Sequence, residues 1–300
     1  ARKIVATNAD SADGWKTIGQ LELLRETMHQ PSPRFQMPFD PVFDLSLVRA
    51  TYAFRRALQQ SPRDFMTVLG LQEVYEARAM HEAELPLLER LVTLPTVNPL
   101  QRMHVTSASA AAAALRQRLG DPPPSVWKNL GELDRLVTDQ LARGRAATAA
   151  AILEQAYPAE KAPWVILDRM ATLHLHLGEP EKARDLWRRA SAVPNPAVRD
   201  ARIAATFLAE EQFEAARGAY EQALAAQPSL FEARYGLAVL EQDAGRATAA
   251  YEQALAAIES APSDVPRASA RAIASAVGPY ARREGSRLVT LSAIRPNGPR

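Results

Sequence analysis

The sequence predicts an all-α chain, a solenoid of antiparallel helix pairs with an irregular N-terminal half and a C-terminal capping helix. Three observations lead there. A short phrase recurs as Trp187-x-x-Ala190, Tyr220-x-x-Ala223 and Ala254-x-x-Ala257, at steps of 33 and 34 residues, and a fixed period of that length marks stacked helical hairpins. Ala, Leu, Glu, Gln and Arg, all good helix formers, fill most of the chain after position 130. No run of alternating β-branched residues is long enough for a sheet, and Val289 with Leu291 comes nearest.

From the N-terminus, Trp15-x-x-Ile18-Gly19 reads as a first helix and Ala50, Phe54 and Ala57, closed by Pro62, as its partner. Between them lies an insertion, residues 30–41, whose Pro31, Pro33, Pro38 and Pro41 exclude continuous helix. Phe35, Met37, Phe39 and Phe43 are interleaved with these prolines. Apolar residues in such a loop need cover from the solenoid or from a partner, which makes them a candidate interface. Gly70, Leu71, Val74, Ala83, Leu87 and Pro95 fit a further pair over 64–95. Residues 99–119 read as one long alanine-rich helix with no evident mate, stopped by Gly120 and Asp121-Pro122-Pro123-Pro124. Pro122 to Pro124 are the expected joint between an irregular region, 1–121, and a regular one, 125–283, a joint compatible with both parts packing as one continuous body.

The regular part opens with Leu130, Leu133, Leu136, Val137, Gly144, Ala149, Leu153 and Ala156. Trp127-x-x-Leu130-Gly131 would start the same unit six residues earlier, a conflict that a first helix about two turns longer would resolve. The next unit starts near Trp164 and carries Met170, Ala171, Gly178, Ala183, Trp187 and Ala190, with Pro180 at a first-turn position and Pro194 and Pro196 as its end. The clearest unit runs over 197–230: Ile203, Ala204 and Phe207, then Phe213, Ala216, Tyr220, Ala223 and the stop Pro228. Small residues let two helices approach and the aromatics fill the wider gaps. Leu237, Ala238, Gly245, Ala250, Ala254, Ala257 and Pro262 make the last unit. A helix over 265–281 is expected to cap it, because terminal repeats need a covered face. Gly285, Pro296, Gly298 and Pro299 suggest an extended or disordered basic tail over 284–300.

These residues resemble the tetratricopeptide repeat (TPR) family, whose pattern is Trp, Leu-Gly and Tyr on the first helix, then Ala, Phe/Tyr, Ala and Pro on the second. The resemblance is strong over 164–262, moderate over 125–161 and 64–95, and weak elsewhere; Ala254 stands where the pattern has an aromatic. It implies a right-handed superhelix and a scaffold or peptide-receptor role. Some members clamp a partner's C-terminal carboxylate with basic and asparagine side chains on first helices. Here the corresponding positions are Asp168, Thr172, Ala201, Ala205, Tyr235 and Val239, so that clamp is missing.

By this spacing the concave face shows Val165, Asp168, Thr172 and His176, then Val198, Ala201, Ala205 and Leu208, then Glu232, Tyr235, Val239 and Gln242. Alanines leave room, Leu208 and Tyr235 offer apolar contact, and Asp168, Glu232 and Gln242 offer hydrogen bonds. The groove suits a helix or an extended segment, or the chain's own tail or helix. Chemistry is hard to place. His174 and His176, two apart on a helix, point away from one another and do not make a metal pair; His174 falls at a core position and reads as structural, His176 at the groove. Glu210 and Glu211 read as a solvated turn. No glycine loop cradles phosphate and no nucleophile elbow occurs, so no catalytic residue, cofactor or metal is expected. Trp127, Trp164 and Trp187 read as repeat core, Trp15 with less force because of its irregular neighbour.

Net charge is +2, but 197–260 carries ten acids against five bases and 264–300 seven bases against two acids. The basic end lacks the aromatics that stack bases, so nucleic acid is not an expected partner. The absence of cysteine excludes disulfides, thiol chemistry and cysteine-bound zinc. No stretch approaches the apolar length of a membrane span, which leaves association with a membrane complex open. Ala1 begins the chain without a signal-like segment, as in a mature or excised piece of something longer. Alanine and arginine richness suggests a bacterial gene, and cytoplasm and periplasm are both compatible. The expected function is a non-enzymatic protein–protein interaction adaptor in a larger assembly. The alternatives are a chaperone-like receptor for peptides or unfolded clients in export or maturation, and an enzyme with a site near 98–124.

Overall fold

The computed structural model describes residues 2–28, 45–123, 127–158, 161–190 and 193–293, with side chains at 27–28 and from 283 onward outside the description. Among the described residues there are fifteen helices and no strand. They group into two compact units, residues 1–194 with 209–211, and residues 195–208 with 212–300.

The first unit holds α1 (Arg2–Thr7), α2 (Ala12–Met28), α3 (Leu45–Gln60), α4 (Phe65–Ala77), α5 (His81–Thr93), α6 (Pro99–Leu119), α7 (Leu130–Ala142), α8 (Ala146–Ala156), α9 (Trp164–His176) and α10 (Pro180–Arg189). Consecutive helices pack on one another from α1 to α5, α5 packs on α6, and α7 to α10 form a second consecutive run. The pairing of α2 with α3 across the insertion is as expected. Trp15 and Ile18 of α2 bury against Ala53 and Ala57 of α3. Trp15 also donates from Nε1 to the Ala9 carbonyl (2.7 Å) and meets Tyr52 edge-on, so it is core. Phe54 explains two glycines. A Cβ on Gly19 would lie 2.9 Å from its ring, and one on Gly70 2.4 Å; only bare backbone lets α2 and α4 close on the same ring.

The hairpin turns share one construction. The backbone N–H groups of Met80, Arg145, Glu179, Gln212 and Arg246 each bond the carbonyl five residues back, at 2.8–3.0 Å. That bond closes a Schellman turn, which needs a left-handed residue just before the donor. Gly144, Gly178 and Gly245 supply it, and so, with φ of 52° and 60°, do Ala79 and Glu211. The last four positions step by 34, 33 and 34 residues, so the period in the sequence is a period of turns.

Several expectations need correction. The long helix α6 has a mate, α5, on which Ala108, Ala112, Leu115 and Leu119 bury. Helix α7 is no longer than usual: Asn129 caps it by accepting from Glu132 N, and Trp127 lies half-buried in the preceding loop. Pro196 opens α11 instead of closing the unit before it. The described residues on the two sides of the expected joint pack in one unit, the arrangement that the reading of a joint left open. The buried Arg145 donates to the carbonyls of Leu119 (2.5 Å), Gly120 (2.8 Å) and Asp121 (2.9 Å), satisfying the unpaired end of α6 from the α7–α8 turn. Further, α5 packs on α8 and α3 on α9. Such contacts span the joint and place both sides in one unit.

The second unit holds α11 (Pro196–Ala209, its last residue grouped with the first unit), α12 (Phe213–Ala226), α13 (Phe231–Asp243), α14 (Ala247–Ser260) and α15 (Asp264–Ala293). Helices α12 to α15 pack in sequence, and α15 also touches α13. Tyr220 of α12 sits against Gly236 of α13, where a Cβ would meet the ring at 2.1 Å. Ala183 in the first unit and Ala216 and Ala250 in the second are fully buried, as close helix packing requires. The capping helix is present, with Val277 and Ala281 burying against Ala247 and Ala250. Its backbone continues to Ala293, twelve residues beyond the expected end and through most of the segment expected to be extended. Residues 294–300 lie outside the described residues, and with them the question of a tail docked in the chain's own groove.

Candidate functional site

Along α9 the predicted groove residues go from exposed to buried: Val165 is 70% exposed, Asp168 is half-buried, and Thr172 and His176 are buried. Asp168 accepts a hydrogen bond from Trp187 Nε1 (2.8 Å). Thr172 is buried and His176 is fully buried. The end of α9 faces α3 and α4: Arg55 donates to the Leu177 carbonyl (2.6 Å), Tyr75 Oη to the same oxygen (3.4 Å), and Arg78 to the His176 carbonyl (3.4 Å). A Cβ on Gly178 would lie 2.6 Å from Arg55 Cδ and 2.9 Å from Thr51 Cγ2. His176 therefore belongs to a packed interior and not to an open face. Burial, with the charge of Arg78 added, holds its pKa well below the ordinary value, so it is neutral.

In the second unit Leu208 is fully buried and Tyr235 nearly so, the latter stacked on Phe231 with centroids 5.6 Å apart. Glu232 and Gln242 are half-buried. Four of the seven groove candidates are thus interior. At the end of α9 the covering groups come from α3 and the end of α4; Tyr235 is covered in part by Phe231 of its own helix. Phe35, Met37, Phe39 and Phe43 lie outside the described residues.

His174 is a structural histidine, as expected. Its Nδ1 lies 2.9 Å from Glu179 and its Nε2 2.8 Å from Glu154, tying α8 to the α9–α10 turn. Burial pushes the Glu154 carboxyl up, but hydrogen bonds from Lys182 and His174 outweigh it and leave its pKa below the ordinary value. The His174 hydrogen bond does the same for Glu179. Among the described residues no three His, Cys, Asp or Glu side chains group to hold a metal.

Glu210 and Glu211 do not form a solvated turn. Glu210 pairs with Arg184 and is buried, which raises its pKa against the pull of that arginine. Glu211 takes Arg49 at 2.5 Å and Arg2 at 2.8 Å; Arg49 also meets Glu22 at 3.2 Å, and Arg2 meets Glu22 at 2.7 Å. Arg49 and Glu22 have no exposed side-chain surface. Arg25 also reaches Glu22, at 3.3 Å, and this pairing of carboxylates with guanidiniums is what makes burial of the charges tolerable. The left-handed backbone at Glu211 is held by this cluster.

An open apolar feature is a cleft between α2 and α4, of about 310 Å³, with Phe54 at its floor. Leu23, Leu24, Met66, Leu69 and Gly70 form its walls, and Gln20 and Glu73 are its polar members. At the mouth Leu24 is 55% exposed and Met66 44%, beside Leu21 at 47%. Cooperating apolar groups of this kind on a surface mark an interaction site more often than isolated ones do. Its sequence signal was a second apolar stripe on α2: Trp15, Ile18 and Glu22 face inward, while Leu21 and Leu24 lie off that stripe. No helix among the described residues is long and apolar enough to cross a membrane.

No family model matches the chain, and no curated protein matches it. Solved structures do. The crystal structure of the APC/C hetero-tetramer Cut9-Hcn1 is similar at 12% identity over 92% of this chain, with a TM-score of 0.41; the match spans 44% of that chain, less than half its length. YrrB, described as a TPR protein with an unusual peptide-binding site, is 14% identical over 74% of this chain and 98% of its own, with a TM-score of 0.38. Yeast Tom70 is 12% identical over 96% of this chain and 68% of its own, with a TM-score of 0.39.

Proposed function

We propose that this chain is a non-enzymatic protein-interaction scaffold that holds a segment of a partner protein at the α2–α4 cleft. The observation that carries the reading is the cleft itself: an apolar hollow over Phe54, with Leu24 and Met66 solvent-exposed at its mouth, on a frame of packed helix pairs. The titratable clusters that the fold builds tie its helices together: His174 bridges Glu154 and Glu179, and Arg49 bridges Glu22 and Glu211. A receptor that takes a client into the first-helix groove is the second reading. The burial of Thr172, His176, Leu208 and Tyr235 weighs against it.

The test is selection of short random peptides displayed on phage, panned against the full chain. Peptides are expected to be recovered that fail to bind a Leu24→Ser/Met66→Ser variant of unchanged far-ultraviolet helicity. Selected peptides that bind the variant and the parent equally well place the binding surface elsewhere and overturn the reading.

A further inference from the structure

The cleft has one charged group in its wall. Glu73 of α4 is half-buried there, and among the described residues no hydrogen bond or ion pair reaches its carboxylate. Burial pushes its pKa up and Glu76 adds to that, while His104 opposes both. Every other lining residue except Gln20 is apolar or glycine. The contrast with the rest of the unit is chemical. Buried carboxylates elsewhere, Glu22, Glu84 and Glu210, each meet a cationic or hydrogen-bonding side chain. A carboxylate beside an apolar hollow is stabilised by a cation brought to it, and a charge-assisted hydrogen bond in such a setting is stronger than one in water.

Resting on the protein-binding reading above, we propose that the cleft recognises a partner segment bearing an arginine or lysine within one helical turn of a bulky apolar side chain. The apolar side chain fills the hollow over Phe54, between Leu23, Met66 and Leu69, and the cation pairs with the Glu73 carboxylate. Charge complementarity selects this occupant over an acidic or purely apolar one, since an acidic segment would place like charges together in a desolvated wall.

The two layers separate in one experiment. Peptides selected on the full chain are expected to be enriched in Arg or Lys next to Leu, Met or Phe. A representative peptide should bind a Glu73→Gln variant about tenfold more weakly, because the isosteric amide keeps shape and removes charge. Selection on that variant should lose the basic enrichment and keep the apolar one. If the basic enrichment survives Glu73→Gln, or the affinity does not change, the pairing is wrong although the cleft stands as a binding site. If binding is instead insensitive to Leu24→Ser/Met66→Ser, the cleft itself falls. A Phe35→Ser/Met37→Ser/Phe39→Ser variant that binds the peptide tenfold more tightly would show that the chain's own 29–44 segment is the resident of the cleft, and the proposal would be overturned.

Discussion

Replacing Gly236 by alanine tests how the aromatic of one repeat meets the helix of the next. Two opposing effects decide the sign. Alanine is a better helix former than glycine by about 1 kcal/mol. The added Cβ, however, would sit 2.1 Å from Tyr220 Cζ and 2.5 Å from Cε1 and Oη, where ordinary contact begins at 3.4 Å. Tyr220 is 2% exposed and cannot swing into solvent without leaving the core. The ring or α13 must move by roughly 1 Å, and overpacking of this kind costs about 1–3 kcal/mol, leaving Gly236→Ala neutral to about 2 kcal/mol destabilised. Gly218, on α12 of the same unit, is the control: nothing lies within 4 Å of its added Cβ, so Gly218→Ala should stabilise by about 1 kcal/mol. Urea unfolding followed by far-ultraviolet circular dichroism reads both. A Tyr220→Leu background should relieve most of the Gly236→Ala penalty, as a double-mutant cycle will show. If Gly236→Ala stabilises the chain as much as Gly218→Ala, Tyr220 does not pack on the α13 backbone and the proposed close approach of α12 and α13 is wrong.

Three further outcomes are expected. Glu211→Gly relieves a left-handed backbone worth about 1 kcal/mol but removes one partner of the fully buried Arg49. Loss of a buried partner costs about 3–5 kcal/mol, so the net should be destabilisation by about 2–4 kcal/mol in chemical unfolding, and a stabilised variant would mean the cluster is solvated. Glu154 and Glu179 have folded-state pKa values below the ordinary 4.5. Their contribution is therefore complete above about pH 4.5 and is lost as pH falls through the lower folded values. The unfolding midpoint should drop between pH 5 and 3, and His174→Ala should flatten that drop; an unchanged profile would show that His174 does not hold them. The Phe35→Ser/Met37→Ser/Phe39→Ser variant should bind a cleft-selected peptide as the parent does, with helicity nearly intact by circular dichroism, because the proposed cleft is built from α2, α3 and α4; global unfolding would show those side chains to be core.

The open cleft and the ion cluster were illegible in advance for related reasons. Arg49 and Glu211 stand 162 residues apart, and no local pattern distinguishes a charge that will be buried from one that will be solvated. Glu211 gave a faint signal: it falls at the turn position that Gly178 and Gly245 occupy in neighbouring repeats, and a non-glycine residue there asks for a reason. The spacing puts His176 on a groove face, but Arg55, Tyr75 and Arg78, about a hundred residues earlier, reach the end of α9 and pack against its last residues.

What the sequence determined by itself is the succession of helix pairs. Helix periodicity, the small residues Ala183, Ala216 and Ala250, and the glycine and proline stops all act within one or two turns of chain, so they can be read locally. The tertiary structure decided which faces remain exposed. Packing α3 and the end of α4 onto the end of α9 buries His176, and drawing α2 and α4 together over Phe54 leaves a hollow open; both follow from long-range burial, which no short window of residues encodes.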